Sequence, residues 1–162
     1  MIIDRKEAVT LSSYLQMLHL DDEKYRHLLE SAMAESGKSI TKEGQQNKHL
    51  RKYIEVMFSR YCNDYLEIFL KRHFNKDFTV EGSAMVLYTC PCCGYNTLSR
   101  RSEYDICLVC FWEDDGDRDN TAYSAVNKMT LGEAKNNFSN FGSTSEQALK
   151  FLDKDRLIQF KK

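Results

Sequence analysis

The chain has 162 residues, 42% of them apolar and 29% charged, with a formal net charge of −1 at neutral pH. Such values suit a soluble globular protein of one domain or two small ones, and the near-zero charge argues against a general nucleic-acid binder. No apolar run approaches the roughly 20 residues that span a bilayer, and Met1-Ile2-Ile3-Asp4-Arg5-Lys6-Glu7 lacks the pattern of a secretory leader, so a cytoplasmic location is expected.

The first 76 residues read as three amphipathic helices. Asp4 followed by Glu7 has the spacing of a capping box, and Ala8, Leu11, Leu15 and Leu18 follow on one helical face. Asp21 or Asp22 can open a second helix with Tyr25, Leu28, Leu29 and Ala32 on one side and Gly37 as its stop. The strongest periodicity runs through Leu50, Ile54, Met57, Phe58, Tyr61, Tyr65, Ile68 and Phe69. It predicts one long third helix from about Lys48 to His73, ended at Asn75.

From Phe78 onward the pattern turns β-like, in Phe78-Thr79-Val80, Met85-Val86-Leu87-Tyr88-Thr89 and Tyr104-Asp105-Ile106. Glu81-Gly82-Ser83 is the expected boundary between a helical region, 1–82, and a second domain, 83–162. Thr130-Leu131-Gly132-Glu133 is a capping box that starts a short helix stopped by Gly142. Thr144-Ser145-Glu146-Gln147 opens another, carrying Ala148, Leu149 and Leu152. The expected class is α+β: three N-terminal helices, a small zinc-ribbon or knuckle β unit, and two short C-terminal helices.

Two Cys-x-x-Cys pairs, Cys90/Cys93 and Cys107/Cys110, lie in the second domain. Each such turn aims two sulfurs at one point, and two turns face to face make a tetrahedral sulfur site. Pro91, the only proline in the chain, fixes the first turn, and Gly94 permits positive φ after it. The spacing favours one structural Zn²⁺. An iron site of rubredoxin type has the same ligands, and a redox dithiol is the remaining alternative. Cys62 reads as a buried core residue and Cys92 as the inner residue of its turn, a substitute ligand for Cys93 only at unfavourable spacing. His19, His27, His49 and His73 read as surface residues.

A closed four-sulfur site cannot activate water, and no nucleophile–base pair or phosphate-cradling loop stands elsewhere, so no enzymatic activity is expected. The second domain is acidic around its cysteines: Glu103, Asp105, Glu113, Asp114, Asp115, Asp117 and Asp119 face the single Arg118 within that stretch. Asp115, Asp117 and Asp119 imitate the start of a calcium loop, but Val126 stands where the bidentate glutamate belongs, so calcium is excluded. The loop is either a solvated charged surface or a rigid acidic patch for a basic partner, with Asp114, Asp115, Asp117 and Asp119 as the expected contacts. Arg100 and Arg101 are too few for a nucleic-acid groove.

Residues 88–142 resemble the bacterial cysteine-rich CPCC family. The likeness rests on Cys90-Pro91-Cys92-Cys93-Gly94-Tyr95, Thr97-Leu98, Tyr104 and Ile106-Cys107-Leu108-Val109-Cys110-Phe111-Trp112-Glu113-Asp114-Asp115. It continues through Asn127, Leu131, Glu133-Ala134, Asn137-Phe138 and Phe141-Gly142. Proline is frequent in the family where Leu108 and Gly116 stand here; neither is a ligand position. The resemblance implies that 83–162 is a CPCC-type zinc-binding domain. It also points to small proteins encoded beside polymorphic toxins, and hence to an immunity protein that neutralises a basic, nuclease-type toxin by direct binding. The competing expectations are a zinc-ribbon accessory factor contacting RNA or the transcription or translation machinery, and a redox or zinc-storage protein that would use Cys92. The acidic ribbon counts against RNA.

Overall fold

The computed structural model describes all 162 residues, which divide into two compact units, Met1–Met85 and Val86–Lys162. The α+β class holds, with helices in both units and strands only in short pairs. No helix is long and apolar enough to cross a membrane.

The first unit runs β1 (Ile2–Asp4), α1 (Arg5–Leu18), α2 (Asp22–Ser36), α3 (Glu43–Arg60), α4 (Asn63–Phe74) and β2 (Thr79–Glu81). The expected starts and stops are made by the expected groups. Asp4 accepts the Lys6 N–H, Asp21 accepts the Lys24 N–H, and Gly37 and Asn75 end α2 and α4 in the left-handed region. Helix α1 packs on α3 and α4, α2 packs on α3, and β1 pairs with β2 in parallel, Ile3 opposite Val80.

The predicted third helix is two helices in the structure. Tyr61 and Cys62 are extended, with ψ of 151° and 159°, and neither proline nor glycine causes the break. Arg5 does. Its guanidinium is buried in the gap, where Nη2 donates to the carbonyls of Ser59 at 2.8 Å and Tyr61 at 2.7 Å while Nη1 donates to Asn63 Oδ1. A carbonyl freed from the helical ladder thus gains a charged donor instead of going unsatisfied. The break also rotates the apolar face. Leu50, Ile54, Phe58 and Tyr61 are buried as expected, but beyond it Leu66 and Leu70 join Tyr65 and Phe69 in the core, while Ile68 is exposed. Each such aliphatic or aromatic burial contributes about 1.5–3 kcal/mol, which is what fixes the kinked arrangement.

The second unit contains β3 (Tyr88–Thr89), β4 (Asn96–Leu98), β5 (Tyr123–Ser124), β6 (Met129–Thr130), α5 (Leu131–Phe141), a 3₁₀ helix (Glu146–Phe151) and a last turn α6 (Arg156–Gln159). Strands β3 and β4 pair antiparallel, as do β5 and β6, and Ile106 bridges Glu113. Helix α5 begins in the predicted reciprocal box between Thr130 and Glu133 and ends at Gly142, φ 76°. The segment around Ala148 and Leu149 is the 3₁₀ helix rather than an α-helix, and Leu152 is its extended cap.

Candidate metal centre

The two Cys-x-x-Cys turns have the same backbone frame. In the first, the Cys90 N–H donates to the Tyr95 carbonyl at 2.8 Å, and the Gly94 N–H donates to the Cys90 carbonyl at 3.0 Å. In the second, the Cys107 N–H donates to the Trp112 carbonyl and the Phe111 N–H to the Cys107 carbonyl, both at 2.8 Å. The residue after the second cysteine must be left-handed to close this frame. Gly94 takes it at φ 80°, and Phe111 takes the equivalent position at φ 72° against its own preference.

Three further links fix the turns. The Thr144 N–H donates to the Cys110 carbonyl, Arg156 Nε donates to the Val109 carbonyl at 3.0 Å, and the Asn96 N–H donates to the Lys161 carbonyl. Trp112, two residues after Cys110, is buried.

The frame brings the sulfurs of Cys90, Cys93, Cys107 and Cys110 within 4.8 Å of one another, all four residues buried. Cys90 Sγ lies 3.7 Å from Cys110 Sγ, and Cys93 Sγ lies 3.6 Å from Cys107 Sγ. A tetrahedron with metal–sulfur bonds of about 2.3 Å has sulfur–sulfur edges of about 3.8 Å. The spacing therefore fits a single four-coordinate ion, and the residues can hold a metal. Cys92 and Cys62 are buried outside this set.

The electrostatics of the sulfurs agree. Burial opposes the Cys107 thiolate, yet hydrogen bonds from the other three thiols and Thr97 hold its pKa well below the usual thiol range. Cys90 is pushed up, chiefly by its interaction with the Cys107 sulfur, and Cys110 is pushed up by burial and by the same neighbours. Thiols this close cannot all ionise unaided, and a cation at their centre is what makes four thiolates stable together. Thr97 Oγ1 donates to Cys107 Sγ at 3.1 Å, with the Val109 and Cys110 amides at 3.4 and 3.5 Å. Sequence reasoning missed Thr97. Its signal was a hydroxyl on a strand that follows the first turn, four residues beyond Cys93.

The acidic loop is ordered by its own side chains. Asp115 Oδ1 accepts the Asp117 N–H, Asp117 Oδ1 accepts the Asp119 N–H, and Asp119 Oδ1 accepts the Thr121 N–H, a ladder of three successive Asx turns. Asp117 and Asp119 are exposed and Asp115 is half-buried. Asp114 departs from the expectation that it offers a surface contact: it is fully buried. Its carboxylate takes Arg118 Nη1 at 2.6 Å and Nη2 at 3.1 Å, and accepts the Ser102 N–H at 3.0 Å. Burial alone would raise its pKa, but Arg118 and the backbone donors hold it below the ordinary carboxylate value. Gly116 shows how close this packing is. At φ 93° an added Cβ would stand 2.9 Å from Ser102 Cβ, and proline cannot adopt that backbone, so the loop takes a path closed to the proline-bearing form.

The chain matches none of the curated proteins and none of the solved structures compared with it. Residues 88–156, from the first strand of the ribbon to the arginine that braces its second turn, match the family described as cysteine-rich CPCC.

Proposed function

We propose that the chain is a non-enzymatic protein holding one structural Zn²⁺ and neutralising a basic protein toxin by direct binding. The observation that carries this reading is the juxtaposition of a closed, buried four-sulfur site with an ordered acidic loop that begins three residues after its last ligand. Four cysteine sulfurs fill a tetrahedral shell, which leaves no position at which water or substrate would be activated. Paired Cys-x-x-Cys turns are the usual donor set of zinc rather than iron in such ribbons. The ion then acts as a staple that supplies folding energy to a unit whose strands are only two or three residues long.

The charge distribution supports a basic partner. Asp115, Asp117 and Asp119 spend one carboxylate oxygen each on the backbone and keep the second available. A pre-ordered acidic surface loses little entropy on association and accelerates encounter with an opposite charge. The competing reading, a ribbon that contacts RNA, has less support. Arg100 is engaged by Asp105 and Glu103, and Arg101 lies over the Tyr88 ring at 4.9 Å.

The test has two arms. Metal analysis of the purified chain is expected to return about one zinc per molecule. Co-expression with the product of the adjacent open reading frame is expected to relieve its toxicity, with the two proteins co-purifying. A neighbouring product that is harmless alone, or is relieved without any complex, rejects neutralisation by binding.

A further inference from the structure

The second unit carries a cavity of about 250 Å³ that neither the metal nor the acidic ladder uses. Its walls include Ile106, Phe111, Glu113, Val126, Lys150 and Phe151. The volume is below the range of roughly 300–1,000 Å³ typical of small-molecule sites, which points to one inserted side chain.

Two features of the wall are out of the ordinary. Phe111 occupies the left-handed position that the first turn gives to glycine, so an aromatic ring is kept here at a backbone cost. That ring stacks on Phe151, centres 5.4 Å apart and planes 19° apart, and Phe151 is itself 62% exposed. The second feature is Glu113. Of the seven acids from Glu103 to Asp119, six have a partner. Glu103, Asp105 and Asp114 face arginines, and Asp115, Asp117 and Asp119 hold backbone amides. The half-buried Glu113 carboxylate has none, although its backbone is clamped by Asn127 at 2.9 Å on both sides.

We propose that this cavity is a socket for an arginine side chain of the protein partner. The proposal rests on the partner-binding reading above and extends it to a named recognition element. An apolar side chain would leave the Glu113 carboxylate desolvated and unpaired, which is costly. A lysine would meet the charge as a point but not lie flat on the rings. Only a guanidinium does both, stacking on an aromatic face while its planar fork pairs with the carboxylate, its stem resting on Ile106 and Val126. The Phe151 ring already attracts a cation: Lys150 Nζ stands 4.8 Å from its centre. That lysine competes with the incoming arginine for the Phe151 ring.

The experiment is an amide NMR titration of the full, metal-loaded chain with the blocked pentapeptide Gly-Ala-Arg-Ala-Gly. Parallel titrations use versions in which lysine, uncharged citrulline or phenylalanine replaces the arginine. The expected result is saturable shifts at Phe111, Glu113 and Phe151 with the arginine peptide alone. Glu113→Gln weakens binding about tenfold or more, the loss expected for a charge-assisted pair. Phe111→Gly, which suits the left-handed backbone as Gly94 does, keeps the metal and the rest of the spectrum but loses the shifts. Lys150→Met tightens binding by removing the competing cation.

Absence of saturation overturns the socket, as does equal binding of the citrulline or phenylalanine peptide, or an unchanged affinity in Glu113→Gln. Shifts at the same residues on concentrating the chain without peptide would assign the cavity to a second copy and also overturn it. No toxin enters this measurement. Arginine binding by a chain that protects against nothing rejects neutralisation alone, whereas protection without arginine binding rejects the socket alone.

Discussion

Arg5 Nη2 donates to the Tyr61 carbonyl at 2.7 Å, a bond that joins the first turn of α1 to the gap between α3 and α4 across 56 residues. The guanidinium fills that gap and serves two carbonyls and one side-chain amide at once. Arg5→Met is expected to destabilise the first unit by about 3 kcal/mol, the loss of charge-assisted bonds plus an unsatisfied buried carbonyl. Lysine in its place is expected to recover only part, because one ammonium cannot span the three acceptors. Urea denaturation of the full chain, followed by far-ultraviolet circular dichroism, measures both.

Loss of any one sulfur would leave a metal held by the other three without its tetrahedral closure. Cys90→Ser, Cys93→Ser, Cys107→Ser and Cys110→Ser are each expected to lose metal and unfold the second unit, whereas Cys92→Ser and Cys62→Ser keep it. Thr97→Val is the finer test. Removing its bond to Cys107 Sγ is expected to lower metal affinity about tenfold without abolishing it, the scale typical of groups that orient a ligand. Competition with a coloured chelator reads all seven proteins.

Asp114→Asn is expected to cost about 2 kcal/mol at neutral pH, at the lower end for an ion pair because Arg118 is 45% exposed. The folded carboxyl has its pKa held below the unfolded value of about 3.9, so its stabilisation is complete above that pH and is lost only as pH falls through the lower folded value. The difference between the two proteins should therefore be the same at pH 7 as at pH 5. A difference that shrank between those values would show that the burial of Asp114 does not have the stated electrostatic basis.

Asparagine accepts the same i+2 amide as aspartate, so replacing Asp115, Asp117 and Asp119 together with asparagine removes charge while preserving the ladder. The triple variant is expected to keep its metal and its circular dichroism spectrum. Its association with the proposed basic partner is expected to slow several-fold at low salt and to lose most of its salt dependence. Stopped-flow association rates at two ionic strengths decide this. Unchanged rates would mean that the loop is solvated surface.

The features legible in the sequence were those set by near neighbours. The two Cys-x-x-Cys turns, the box at Thr130 and Glu133, and the stops at Gly37, Asn75 and Gly142 each depend on residues within one turn, and local spacing encodes them. The break after Arg60 was hidden because its cause is a side chain more than fifty residues away, acting on a stretch whose periodicity continues unbroken on paper. Asp114 was misplaced for a related reason. A run of acids reads as exposed, and nothing nearby in sequence tells the one that folds inward onto Arg118 and Ser102 from those that stay out. The ladder was legible in principle, since Asp-x-Asp-x-Asp-x-Thr spaces each acceptor two residues before its amide.

The parallel pairing of β1 with β2 sets an order of events during synthesis. Ile2–Asp4 leave the ribosome well before their strand partner, Thr79–Glu81. During translation of the intervening helices the strand therefore waits unpaired, and α1 cannot be locked in place by the Arg5 contacts until Tyr61 and Asn63 have emerged. Closure of so long a loop is slow compared with helix formation. The first unit thus completes late in its own translation, with its opening residues exposed to any nascent-chain factor that binds short apolar segments.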